Sequence, residues 1–305
     1  MSYRFIIGIV GLFLLNKSYA QNQIIDSLLL DIKNGKEDTS KIKTLNALTW
    51  QYFIISNFEE SKKYANESVL LADKLNFLKG KADALNYLGN VYAQTSQYTH
   101  ALEKYHESLE IKKQINDTIS MGSTYNNIGN VLWSLGNLPE ALNYQLKALK
   151  IREKSGNLNN VAQSYSNIGL IYLTQKKLNQ ALEYFKKAES IQVNIANSYS
   201  LGITYNNLGN VYDQLGDLEK SMEYHIKSKN LREETGDKYG LAQCYANIGL
   251  IYKRTDLTLA EDNFVKSLNI SKELGDRNNE ALCYIHLAGI EILKKNYTKT
   301  RQYIS

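Results

Sequence analysis

The sequence predicts an all-α protein, a solenoid of antiparallel helix pairs. Three observations carry that expectation. Glycine stands at Gly89, Gly129, Gly169, Gly209 and Gly249, each forty residues from the last. Around each glycine, apolar, aromatic and small residues recur at i, i+3, i+4 and i+7, which is one face of an α-helix. The 305 residues hold a single proline, Pro139, and proline is the residue helix interiors tolerate least. Length alone suggests two globular domains. A forty-residue period argues instead for stacked two-helix units, each burying its apolar face against its neighbours.

The elements follow in chain order. Met1 to Arg4 is a short basic start, Phe5 to Leu15 an apolar run, and Ser18-Tyr19-Ala20 a triplet with small residues at its first and third places. Residues 1–20 are therefore expected to be a signal peptide cleaved before Gln21, which implies an exported, periplasmic protein. The apolar run would make a helix of roughly 16 Å, too short for a hydrocarbon core of about 30 Å. Residues 21–40 are expected to form an N-terminal helical cap, and residues 41–305 about seven forty-residue repeats, the last incomplete. The repeated text runs LNALTWQY (45–52), LNYLGNVY (85–92), YNNIGNVL (125–132), YSNIGLIY (165–172), YNNLGNVY (205–212) and YANIGLIY (245–252), then YIHLAGIE (284–291) after a one-residue deletion near Thr255.

Each repeat divides into helices A and B. In helix A, Tyr205, Leu208, Gly209 and Tyr212 share a face. In helix B, Leu218, Ser221, Tyr224, His225 and Ser228 do. Twelve residues past each glycine stand Ala101, Ala141, Ala181 or Ser221. Such small residues let the two helices approach, with tyrosine rings filling the space beside them. Gly156, Gly236 and Gly275 fall where a left-handed residue would end helix B. Pro139 falls in a first turn, where its missing N–H costs little.

This pattern resembles the tetratricopeptide repeat, whose aromatic, Leu-Gly, Tyr, Ala, aromatic, Ala signature falls here on Tyr125, Ile128, Gly129, Ala141, Tyr144 and Ala148. Leu132 departs from the expected tyrosine. The usual proline near the end of helix B is absent, with Glu153 and Glu233 in its place. The long unit is similar to the repeats of kinesin light chain and of Rap-type regulators. The resemblance covers about residues 42–305. It implies an all-α, right-handed superhelical solenoid of antiparallel helix pairs and a non-catalytic protein-binding or peptide-binding scaffold that needs no cofactor.

If the Tyr-Leu-Gly-Tyr face packs inward, the opposite face of helix A lines a concave groove. Two residues before each glycine stand Asn127, Asn167, Asn207 and Asn247. One residue after stand Asn90, Asn130 and Asn210, alternating with Leu170 and Leu250. Asparagine is a mediocre helix former. Its carboxamide both donates and accepts, so a ladder of them can hold an extended peptide by its main chain. A similar ladder lines the tetratricopeptide groove of O-linked N-acetylglucosamine transferase. Alternatively each asparagine bonds the neighbouring repeat and registers the stack. A groove for acidic C-termini would need lysine and arginine where Ala93, Gln94, Trp133 and Ser134 stand. The Lys253-Arg254 pair reads as solvated at a helix end.

Charge is mild. There are 36 basic and 31 acidic residues, too evenly spread to suggest nucleic acid. Cys244 and Cys283 fall at one site in successive repeats and are expected to be free, half-buried thiols. No Cys/His spacing resembles a metal site. His100, His106, His225 and His286 are scattered, with His106 and His225 expected as packing residues on helix B. The chain stops within the seventh helix B. A membrane attachment or an output module beyond residue 305 would make it the extracytoplasmic sensor of a signalling protein.

Overall fold

A computed structural model describes residues 22–304 of the chain. The expected signal peptide lies outside the described residues. Among them are fifteen α-helices and no strand. The chain divides into two compact units, Met1–Ser155 and Gly156–Ser305, where the periodicity predicts one uninterrupted array. The division is one of contacts and not of architecture, because the same helix hairpin builds both units.

The first unit opens with α1 (residues 22–34). Three hairpins follow, α2 (Thr39–Ile54) with α3 (Phe58–Lys74), α4 (Leu78–Gln94) with α5 (Tyr98–Gln114), and α6 (Thr118–Ser134) with α7 (Leu138–Ser155). Ile32 of α1 packs on Ile42, Leu45, Leu71 and Ala72, which seats α1 against the first hairpin. The second unit pairs α8 (Leu158–Thr174) with α9 (Leu178–Asn194), α10 (Ser198–Leu215) with α11 (Leu218–Thr235), α12 (Lys238–Tyr252) with α13 (Leu257–Leu274), and α14 (Arg277–Leu293) with α15 (Tyr297–Ile304).

The turns keep a period of twenty. Left-handed residues occur at Ser56, Asn76, Ser96, Asn116, Gly136, Gly156, Lys176, Ala196, Gly216 and Gly236, then at Gly275 and Lys295. Every one except the last pair keeps the same frame, so the device closes helix A as well as helix B. The break falls between α12 and α13, where the chain is one residue short and no residue of the turn is left-handed. Most of the helices that follow begin on an Asp or Asn cap. Asp117, Asn157, Asn197, Asp217, Asp237 and Asp276 each accept a main-chain N–H three residues on, satisfying a donor the helix leaves open. Pro139 lies in the first turn of α7.

Within each hairpin the repeated glycine meets a side chain sixteen residues later, or fifteen after the deletion. A Cβ on Gly89 would sit 2.5 Å from Tyr105, on Gly129 2.9 Å from Gln145, on Gly169 2.7 Å from Phe185, on Gly209 2.6 Å from His225 and on Gly249 3.1 Å from Phe264. The group lying on the glycine is therefore not one of the repeated tyrosines. Those tyrosines stack beside it, as Tyr224 does with Tyr212 at 5.5 Å and with Tyr205 at 5.7 Å. The first hairpin exchanges the volumes. Thr49 and Ala65, both fully buried, hold the equivalent positions. Ala101, Ala141, Ala181 and Ser221 are fully buried at the helix crossing.

Three expectations need correcting. Cys244 and Cys283 are unpaired but fully rather than half buried. Each thiol donates to a helix B serine, Ser228 at 3.1 Å and Ser267 at 3.3 Å, and burial pushes both thiols up from their ordinary range. His225 is buried, whereas His106 is exposed and only its ring edge meets Tyr144, at 6.2 Å. His106 aligns one residue past the glycine-facing slot of Tyr105, and one residue turns a helix by about 100°. Arg254 is not merely solvated. It pairs with Asp213 at 2.9 Å.

Candidate functional site

The nine residues predicted to line a groove fall in three clefts, three to each. In the first unit, α2, α4 and α6 border a cleft of about 560 Å³ that holds Asn90, Asn127 and Asn130. In the second unit, α8, α9 and α10 border one of about 360 Å³ with Asn167, Leu170 and Asn207. There too, α10, α12 and α14 border one of about 310 Å³ with Asn210, Asn247 and Leu250. All three are floored by the face of helix A opposite its glycine, because residues one after and two before that glycine point away from helix B.

The asparagines are not equivalent. Asn127 Nδ2 donates to Asn90 Oδ1 across hairpins at 3.0 Å, and the Tyr105 hydroxyl donates to the same oxygen at 2.7 Å. The Asn90 carbonyl is thus occupied while its NH₂ stays open to the cleft. Asn130 accepts from Gln145 Nε2 at 2.7 Å. Asn247 donates to Asn206 Oδ1 at 2.9 Å, beside the His225 Nδ1 contact at 3.2 Å. Asn207 has no partner among the described residues, since Leu170 stands where Asn90 stands for Asn127. Residues three before the glycine are drawn further in. Asn126 accepts from Arg152 at 3.1 Å and Asn86 from Thr124 at 3.1 Å.

Other lining residues escaped the sequence reading. Trp50 and Phe53 form an apolar shelf in the first cleft, stacked at 5.4 Å. Trp50 follows Thr49 as Asn90 follows Gly89, so extending the register by one repeat finds it. Gln192 reaches the second cleft from helix B. Its signal was the buried series Lys112, Arg152, Gln192, Arg232, which the tyrosine pattern overshadows. His286 lines the third cleft and stacks on Phe264 at 4.8 Å. Burial, and then the nearby Lys253 charge, lower its pKa, so it is neutral there. None of the residues lining the three clefts is Lys, Arg, Asp or Glu. Among the described residues no cluster of three or more His, Cys, Asp and Glu could hold a metal, and no helix is long and apolar enough to cross a membrane.

Stacked helix hairpins with small residues at the A–B crossing and polar clefts on the A face define a helical-repeat scaffold. Tetratricopeptide repeat models match residues 82–117, 120–192 and 200–273, more than half the chain. The chain belongs to the tetratricopeptide repeat family. No curated protein sequence matches it. Its fold is similar to that of apo RapI, with TM-score 0.69, 16% identity, and coverage of 89% of this chain and 98% of that one. It is also similar to BtubC (BKLC) from P. vanneervenii, with TM-score 0.63, 19% identity, and coverage of 71% and 92%. A third likeness is to a signal transduction ATPase with numerous domains (STAND) from Pyrococcus horikoshii, which carries a tetratricopeptide repeat sensor. There the TM-score is 0.68, the identity 21%, and the coverage 93% of this chain and 48% of that one.

Proposed function

We propose that this protein is an exported, non-catalytic scaffold that binds extended peptide segments of partner proteins in the clefts of its helix A faces. The repeat fold itself is one suited to protein binding. The observation that carries the finer reading is the absence of formal charge from all three clefts in a chain whose residues are 22% charged. Carboxamides and apolar shelves match the neutral, bipolar peptide unit, and they offer no counter-ion to an acidic or basic tail. Export rests on residues 1–20, and the periplasmic fraction should yield a chain whose mass begins at Gln21. A mass beginning at Met1 would remove the export part of the proposal.

Selection of a displayed random-peptide library on the whole protein tests the binding reading. Uncharged extended sequences should enrich. An Asn130→Ala/Asn210→Ala variant should bind them about 5-fold to 100-fold more weakly, the worth of two hydrogen bonds. No enrichment, or enrichment indifferent to both substitutions, overturns the groove. A second reading makes the chain the sensory region of a larger signalling protein. Its support is the likeness to a protein whose tetratricopeptide repeats are described as a sensor. Gene sequence past codon 305 that encodes an apolar stretch of about 20 residues and a catalytic or DNA-binding module would favour it.

A further inference from the structure

The cleft between α8, α9 and α10 holds a buried amide oxygen with no hydrogen-bond partner and, beside it, an asparagine amide with none from the protein. Gln192 is 2% exposed, and its Oε1 has no hydrogen-bond partner. Asn207 is 8% exposed and has none among the described residues. An unmade buried hydrogen bond costs a protein the desolvation of that group, so the Gln192 oxygen, with an unpartnered Asn207 amide lining the same cleft, needs a reason.

Two departures from the repeat create the pair. Forty residues on, the Gln192 position is Arg232. It donates to Ser228 Oγ and pairs with Asp237, and a Cβ on Gly240 would overlap its guanidinium. Arginine thus fills the space above Gly240. At the equivalent place the shorter Gln192 leaves open space over Ser200, and the Asp237 position is Asn197, which removes the carboxylate along with the cation. The second departure is Leu170, in the slot where Asn90 accepts from Asn127 at 3.0 Å. With leucine there, the Asn207 amide has neither donor nor acceptor. The cleft of about 360 Å³ is lined by Gln192, Leu170 and Asn207 together, and it is large enough for a small group.

We infer that this cleft is a built site for one uncharged carboxamide, which donates N–H to Gln192 Oε1 and exchanges hydrogen bonds with Asn207. Leu170 and Ile203 flank its apolar stem. A carboxylate or an ammonium entering there would lose hydration with no counter-charge among the lining residues. Two sources present this chemistry, a peptide main-chain unit and the side chain of a glutamine or asparagine. The inference rests on the peptide-binding reading of the same face. Its test uses no partner and neither Asn130 nor Asn210, so either can fail while the other stands.

The test is side-chain NH₂ chemical-shift titration of the whole ¹⁵N-labelled protein with four probes. N-acetylglycine N-methylamide carries the main-chain unit alone, and N-acetylglutamine N-methylamide adds the side-chain amide. N-acetylglutamate N-methylamide is the charged near-isostere, and methyl glucoside is a neutral polyol. The Gln192 and Asn207 resonances should shift with an amide probe, with dissociation constants of about 1–10 mM. Saturation by the glycine probe identifies the main chain as the source, and saturation by the glutamine probe alone identifies the side chain. If the side chain is the source, the glutamate probe should bind about tenfold more weakly than the glutamine probe. Gln192→Arg, which copies Arg232, should abolish the response. Leu170→Asn, which returns an acceptor to Asn207, should weaken it. No shift with either amide probe, equal binding of the glutamate and glutamine probes where the glycine probe does not bind, a response to the glucoside alone, or a response indifferent to both substitutions overturns the assignment.

Discussion

Acid should destabilise this protein through buried His225. His225 is 2% exposed, its ring lies on Gly209, and its Nδ1 is 3.2 Å from Asn206 Oδ1. That oxygen also accepts from Asn247, so Nδ1 is the protonated nitrogen and the ring is neutral. Burial pushes its pKa down from the ordinary 6.5 to about 4. The folded pKa lies below the unfolded one, so between these values the unfolded chain binds more protons. Stability is full above pH 6.5 and is lost as pH falls towards 4. Linkage over that window gives a loss of about 2 kcal/mol between pH 7 and pH 5. His225→Gln removes the titration, and Gln145 already fills the equivalent slot over Gly129, so the variant should fold. Urea unfolding at the two pH values measures the difference, followed in the second unit because long repeat arrays need not unfold in one step. The variant should lose about 2 kcal/mol less than the parent on acidification. Equal losses, or a His225 ring resonance titrating near 6.5, would refute the argument.

Three further outcomes follow from the turns, the glycines and the thiols. Ala196 is left-handed at φ 53, so Ala196→Gly should raise stability by about 0.5–1 kcal/mol, the relief of the Cβ penalty less the entropy glycine adds to the unfolded chain. Gly216→Ala, at φ 83, should lower it by a similar amount, both read by denaturant midpoint. Gly169→Ala should cost about 1–2 kcal/mol despite alanine's better helix propensity, because its Cβ would stand 2.7 Å from the buried Phe185 ring. Adding Phe185→Leu should restore part of the loss, and a double-mutant cycle reads the coupling. Cys244 and Cys283 should resist aromatic disulfide reagents in the native state and react in denaturant. Rapid native labelling of either would mean its hairpin opens locally.

Much of the fold was legible because a repeat states its own register. The glycine period located every hairpin, and the missing residue near Thr255 reappears as a turn between α12 and α13 that has no left-handed residue. The lining positions were legible for the same reason. Residues one after and two before each glycine share a helix face, and the nine named on that ground fall in the three clefts. What lies on the glycine was less legible. Tyr105, Gln145, Phe185, His225 and Phe264 share no chemistry, only a plane thin enough to lie against a bare backbone, and the conspicuous tyrosines drew attention instead.

The sequence by itself determined the helix hairpin, its period and the face each asparagine occupies, since these depend on contacts within a few turns of chain. Tertiary structure decided which asparagines are occupied and which are open. Asn127 finds Asn90 and Asn207 finds Leu170, each 37 residues earlier in the chain. Whether a carboxamide answers another is a matter of two side chains on adjacent hairpins meeting within about 3 Å. One repeat's pattern carries no information about that meeting until the neighbouring hairpin is in place.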